Sequence, residues 1–282
     1  MKGLTAFQTT REEILEHYRK FGFAVIPDAL SKDELDYLNQ LVDRDIEINP
    51  DDWHAHRQGA AGNGQVIMKY PELDRFVRHH RTFPIIQEVL KQEARFAQLD
   101  FRDVPVHLAD NSGMNWHRDI SYYGTVGGKV WDPDNPYNST YACAIYYLKD
   151  VHECCPCFSL IPSSHEYESL DEAKQALGED YCEVDIRGKA GTAVLYNITT
   201  YHTRKTGKSE CNHGRRTMHN YHSRGSVPPL TDWATVPEQL ALSSDAETRK
   251  FYSQWTPKQI KYAVTTYQSK IPSYYPAVMF KK

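Results

Sequence analysis

Gly191-Thr-Ala-Val-Leu-Tyr-Asn-Ile-Thr-Thr-Tyr-His202 opens on a glycine turn, runs through apolar and β-prone residues, and ends on an imidazole. Its length and its lack of helical period read as one buried strand with a histidine at its exit. Comparable β-prone runs stand at 95–107, 141–149, 157–161, 181–187, 192–197 and 215–222, separated by turn-rich segments. Helix-length patterns do not alternate with these runs, so a sandwich or jelly roll is expected rather than a βαβ array.

Ahead of this β-rich stretch the chain reads as helical. Thr10-Arg-Glu-Glu13 and Ser31-Lys-Asp-Glu34 both fit the capping box, and each opens an amphipathic pattern: Ile14, Tyr18 and Phe21, then Leu35, Leu38, Leu41 and Val42. Gly22 can end the first helix, and Phe23-Ala-Val-Ile26 reads as a short buried strand stopped by Pro27. Residues 49–66, polar and holding Gly59, Gly62 and Gly64, read as a mobile surface loop. A third helix is expected over about 83–92, set by Thr82 and Pro84, and residues 245–268 look helical again. The expected organisation is one domain over 1–282: a helical part at 1–94, a β core at about 95–225 and a helical segment at about 226–282.

Bulk properties narrow the function. The chain has 282 residues, 40% of them hydrophobic, enough for a sizeable core. A net charge of -4 with dispersed Lys and Arg gives no footprint for a phosphate backbone, so no nucleic-acid partner is expected. No stretch approaches the roughly 18 apolar residues of a membrane helix. Met1–Glu13 lacks a secretory apolar run, and the end, Met279-Phe-Lys-Lys282, is not a Ser-Lys-Leu address. A cytoplasmic protein acting on a small molecule is expected. The six cysteines are unevenly spaced in a chain too large to need staples, so reduced thiols are expected.

Asn115-Trp-His117-Arg-Asp119 places an imidazole and a short carboxylate two residues apart. In an extended chain such positions share a face, so both can reach one metal while Arg118 points away. A lone His-x-Asp is weak evidence. With His202 and with Gly214-Arg-Arg-Thr-Met-His-Asn-Tyr-His222, however, it makes a two-histidine, one-carboxylate set with cations nearby. Such a triad keeps positions open on iron(II), whereas a structural zinc site is closed by four ligands. A guanidinium suits bidentate capture of a carboxylate. His54 and His56 form a rival metal pair without a third ligand. Cys154, Cys155 and Cys157, with Cys182 or Cys211, offer thiolates for zinc at spacings that match no CxxC pattern. His213, His219 and His222 compete with His202, and His165 is read as satisfying a turn. Trp116, Tyr122 and Tyr123 flank the metal pair and are candidates to line a substrate pocket, while Trp233 and Trp255 are read as structural.

These features resemble the phytanoyl-CoA dioxygenase family of iron(II)/2-oxoglutarate oxygenases. The resemblance rests on the opening helix with Gly22-Phe-Ala-Val-Ile-Pro27, His117-x-Asp119, Ile161-Pro-Ser-Ser-His165, the strand into His202, and Arg215-Arg216. It implies a double-stranded β-helix core, iron held by His117, Asp119 and His202, and 2-oxoglutarate held by Arg215. Arg216 is the second candidate for that role: strand alternation lets only one of the two face the pocket, and the family's spacing favours the first. The implied reaction consumes O2 and 2-oxoglutarate, releases succinate and CO2, and hydroxylates an unactivated C–H bond. Asp119 argues against halogenation, since halogenating relatives replace that carboxylate. Where the family commonly has Gly-Ser after the second histidine, this chain has Thr203-Arg204. Two other readings stand beside this one: a metal dioxygenase that needs no cosubstrate, and a non-catalytic jelly-roll binding module.

Overall fold

A computed structural model describes residues 7–55, 61–104, 115–119, 135–208, 211, 214–225, 227, 230 and 236–252. Both capping boxes form. Thr10 starts α1 (Arg11–Phe21) and Ser31 starts α2 (Lys32–Ile48), each side chain accepting from the N3 amide while the N3 glutamate reaches back. Each box satisfies two otherwise orphaned amides, and the cap is worth about 1 kcal/mol. Gly22 closes α1 at φ 78°, a left-handed conformation that glycine adopts without strain. A side chain there would also strike His165 and Thr200. Behind α2 come two single turns of helix, α3 (Val66–Lys69) and α4 (Asp74–Val77), and then α5 (Phe83–Leu90). Thr82 sits at the N-cap of α5 without capping it; its hydroxyl bonds to Tyr146 instead.

Among the described residues, two antiparallel sheets form the β core. The strands are β1 (Phe23–Ile26), β2 (His54–Ala55), β3 (Ala61–Asn63), β4 (Ala94–Val104), β5 (Tyr141–Tyr147), β6 (Cys157–Leu160), β7 (Val184–Ile186), β8 (Ala193–Asn197), β9 (His202–Lys205) and β10 (Arg215–Arg224). The larger sheet runs β1-β8-β5-β10-β4-β3-β2 and the smaller β7-β6-β9. This is the jelly-roll class expected from the strand spacing. One apolar cluster, with Phe23, Val25, Ile145, Tyr196, Phe158, Leu160 and Ile186, draws on both sheets and fills the space between them. The other joins the opposite face of the larger sheet (Ala24, Ala144, Leu195, Met218) to α1, α2 and α5.

Alternation along β10 separates these environments. Met218 packs in the helix-side cluster, Asn220 donates to Phe76 O, His222 bonds Val77 O, and Arg224 donates to Leu90 O. Tyr221 packs in the cluster between the sheets, and Arg215, Thr217 and His219 share its parity and face the same way. On the paired strand β4, Gln98, Asp100 and Arg102 lie opposite Tyr221, His219 and Thr217, so the interior wall is polar.

Several expectations are corrected. The described part of 49–66 is not a loose loop: it contains a 3-10 turn (Pro50–Asp52), β2 and β3, and β3 pairs with β4. The cause is Asp45, fully buried on α2, whose carboxylate accepts from Asn49, Trp53, Asn63 and Tyr70 at 2.7–3.1 Å. A further helix, α6 (Leu170–Leu177), capped by Ser169, stands where the sequence suggested none. Of the expected helix at 245–268, α8 (Ala246–Phe251) is present, preceded by the short α7 (Glu238–Ala241); residues 253–268 lie outside the described residues. No helix among the described residues is long and apolar enough to cross a membrane.

Candidate metal centre

His117 and His202 meet across an isolated antiparallel bridge, His117 N to His202 O at 3.0 Å and His202 N to His117 O at 2.9 Å. The Asp119 amide continues the connection by donating to Ile198 O at 3.2 Å. His202 is therefore not beyond a strand's exit: it is the first residue of β9, paired with Leu160 of β6. Arg118 points away from the two ligands, as extended geometry requires. Its guanidinium donates to the carbonyls of Ser164, Tyr167 and Glu168 and lies over the Tyr201 ring. These contacts moor the His-x-Asp segment to the turn that holds His165.

Ligand atoms of His117, Asp119 and His202 all lie within 4.8 Å of one another. Nδ1 of His117 bonds Asn115 O at 2.8 Å, and Nδ1 of His202 bonds Thr200 O at 2.9 Å. Both carbonyls require Nδ1–H, which leaves each Nε2 with a lone pair, the tautomer a metal needs. Burial, and then the neighbouring His202 imidazole, hold the His117 imidazole below its ordinary pKa and so in its neutral, ligating form. Burial works to raise the Asp119 carboxyl, but His202, the Tyr196 hydroxyl and Arg102 outweigh it and keep the group ionised well below the usual carboxylate range. Two imidazoles and one anionic carboxylate fit a divalent metal with open positions, and no fourth protein ligand joins them among the described residues.

Arg215 is 3% exposed, and its Nε and Nη1 have no hydrogen-bond partner among the described residues. Burial lowers its pKa, with Tyr147 and Cys157 opposing. A buried guanidinium with open donors is costly unless an anion meets it. Arg216, on the opposite face of β10, is already engaged: Nη1 lies 2.8 Å from Asp43 and Nη2 lies 2.9 Å from Asp103. The alternation left two candidates in the sequence, and the structure places only Arg215 inward with open donors.

The remaining candidates separate. His219 bonds Thr217 and His222 bonds Val77 O, so neither joins the triad. His165 does not satisfy its turn: neither ring nitrogen has a partner among the described residues, and the ring packs against Gly22. Trp116 lines a groove with Glu153, Arg187, Thr203 and Lys205 that none of the three ligands lines. Tyr122, Tyr123, His56, His213, Trp233 and Trp255 lie outside the described residues, as does the side chain of His54.

Sequence reasoning missed Tyr196, which donates to Asp119 Oδ2 at 2.6 Å, and the Gln98-Asp100-Arg102 row, whose outer members both donate to Asp100. Tyr196 could have been found from the alternation of β8, which puts Val194, Tyr196 and Ile198 on one face. Arg204, two residues after His202 on β9, shares that histidine's face, is buried, and stands where the family commonly has serine.

With that geometry in view, the match to the family model described as phytanoyl-CoA dioxygenase (PhyH), over residues 18–217, is decisive. The chain belongs to the phytanoyl-CoA dioxygenase family. Its matched span runs from α1 into β10 and so includes all three candidate ligands and both arginines. Family membership carries the coarse assignment, an iron- and 2-oxoglutarate-dependent oxygenase, and the donor set fits it. Solved structures share the family fold at low identity. The alpha-ketoglutarate-dependent carbocyclase SnoK from nogalamycin biosynthesis has TM-score 0.64 at 18% identity, covering 84% of this chain and 93% of its own. EctD from S. alaskensis, solved with 2-oxoglutarate and 5-hydroxyectoine, has TM-score 0.61 at 16% identity, covering 80% and 82%. HygX from Streptomyces hygroscopicus, solved with nickel and 2-oxoglutarate, has TM-score 0.58 at 16% identity, covering 78% and 88%. No curated protein matches the chain by sequence.

Proposed function

We propose that this oxygenase hydroxylates an unactivated C–H bond of a small metabolite or natural product, with His117, Asp119 and His202 holding iron(II) and Arg215 holding 2-oxoglutarate. The observation that carries the reading is the convergence of three ligand atoms within 4.8 Å, on the same interior as a buried guanidinium with open donors. When bound, iron(II) with 2-oxoglutarate and O2 supplies the oxidising equivalent, releasing succinate and CO2.

The chain's own residues bind, orient and exclude water. Asn115 O and Thr200 O fix the tautomers of the two imidazoles, and Tyr196 holds Asp119 by one oxygen so that the other can ligate. Arg215 offers its donors to the distal carboxylate of the cosubstrate from a dry wall made with Tyr147. The Asp100-Arg102 pair lines the same interior and supplies polar contacts for substrate. Retention of Asp119 favours hydroxylation over halogenation, since no ligand position is vacated for halide. EctD, solved with 5-hydroxyectoine, is an analogy in outcome, and the carbocyclase SnoK shows that a similar fold also serves ring formation. No basic cluster marks a coenzyme A phosphate site, so the substrate is not inferred from the family's name.

The test is succinate release across a metabolite library, with iron and 2-oxoglutarate each omitted in turn. Substrate-stimulated succinate that needs both, and that Asp119→Ala abolishes, is the expected result. Full turnover without 2-oxoglutarate would instead favour a cosubstrate-independent dioxygenase, and absence of linked iron and 2-oxoglutarate binding a non-catalytic module.

A further inference from the structure

The β5–β6 and β9–β10 connections, far apart in the chain, are drawn together by sulfur. Ligand atoms of Cys154, Cys155 and Cys211 lie within 4.8 Å of one another, and Cys211 Sγ is 3.2 Å from Cys155 Sγ. Cys155 and Cys211 are buried and Cys154 is partly exposed, so the cluster has a dry floor and an open mouth. Its frame is built by the backbone. Lys208 N donates to Cys154 O at 2.7 Å, Cys211 N to Lys208 O at 3.1 Å, and Cys155 N to His152 O at 3.1 Å. Val151 and Gly188 bridge at the base of the turn, and the Arg187 guanidinium donates to the carbonyls of His152 and Cys155. Cys157, adjacent in sequence, is excluded: it is buried between the sheets with its sulfur directed to Ser159.

We propose that Cys154, Cys155 and Cys211 form a three-thiolate site for a thiophilic divalent cation of the zinc class, separate from the His117, Asp119 and His202 centre. Zinc–sulfur bonds of about 2.3 Å in tetrahedral geometry set neighbouring sulfurs about 3.8 Å apart, within reach of the present cluster by small side-chain adjustment. Binding displaces three thiol protons to solvent and moves no electron. No fourth protein ligand joins the three sulfurs among the described residues, and the partly exposed Cys154 leaves that side open to solvent. A Cys155–Cys211 disulfide is the rival use of the same atoms. That disulfide would leave Cys154 without a sulfur partner, whereas a cation engages all three sulfurs. Cys211 lies between His202, the start of β9, and Arg215, the start of β10, so the cation would pin the connection that joins them.

The test is a cadmium(II) titration of the full chain, stripped of metal and kept under a non-chelating reductant. Thiolate-to-cadmium charge transfer in the ultraviolet reports sulfur ligation only. The expected result is a band that saturates at one equivalent and survives undiminished in the His117→Ala, Asp119→Ala double variant. Zinc(II) should displace it, and Cys211→Ala should weaken it about tenfold or more in affinity. Cys154→Ser, at the partly exposed position, gives the same readout where Cys211→Ala fails to fold. Loaded protein should also resist tryptic cleavage after Lys208. Absence of the band, its persistence unchanged in both cysteine variants, or a Cys155–Cys211 disulfide formed in preference to metal binding would overturn the proposal.

Discussion

The Tyr196 hydroxyl donates to Asp119 Oδ2 at 2.6 Å, while Oδ1 of the same carboxylate lies 3.4 Å from His202 Nε2. One oxygen is thus fixed by the protein and the other is presented beside the histidine. Tyr196→Phe should keep the fold and lower iron(II) affinity about 10- to 100-fold, measured by anaerobic calorimetry. Unchanged affinity would remove Tyr196 from the metal's support.

The two arginines that start β10 should fail in different ways. Arg215→Lys should raise KM for 2-oxoglutarate about tenfold or more, because an ammonium cannot make the planar two-point contact, with little change in melting temperature. Arg216→Ala should leave that KM alone and destabilise the protein by about 1–2 kcal/mol, since its aspartate partners are partly solvated. Succinate kinetics and urea unfolding separate the outcomes, and a reversal would exchange the roles assigned here.

Much of this was legible in the sequence. The capping boxes, Gly22 and the His-x-Asp pair announce themselves because the signals are local: a side chain reaching an amide three residues away, or alternation over two. The hidden parts depend on distant partners. His202-Thr-Arg-Lys205 has no β-prone apolar pattern, and becomes a strand only because Leu160 and Phe158 offer an edge to it. Ala61-Gly-Asn63 reads as loop by composition, and is held as a strand by β4 and by the buried Asp45. Asp100 and Arg102 look like surface charges until β10 places them inward, and Cys211 cannot be assigned to Cys154 and Cys155 until two connections meet.

Asp45 organises the region that composition misread. Asp45→Ala would strip the acceptor from four donors and should cost about 3 kcal/mol or more, measured by urea unfolding. A change below about 0.5 kcal/mol would show that residues 49–70 are held by other contacts.

Acid should weaken the metal-free protein through its buried histidines. Burial pushes His165 and His222 down to about 4. The unfolded chain, with ordinary histidines near about 6.5, then takes up protons first as pH falls. Stability from these groups is complete above that value and is lost as pH falls from about 6.5 toward 4, by up to about 3 kcal/mol for each. Urea midpoints across that range should fall accordingly, and His222→Gln should flatten part of the slope. A midpoint constant from pH 7 to pH 4 would contradict the burial of both rings.

The alternation of Arg215–Arg224 gives a single strand two masters. Every second side chain is tied to the helical layer by an ion pair, packing or a backbone carbonyl, and those between them face the space between the sheets. Substitutions walking along this strand should therefore beat in time, abundance lost at one step and turnover at the next. New substrate preferences can be written into the odd-numbered positions beyond Arg215 while the even-numbered ones keep the scaffold standing.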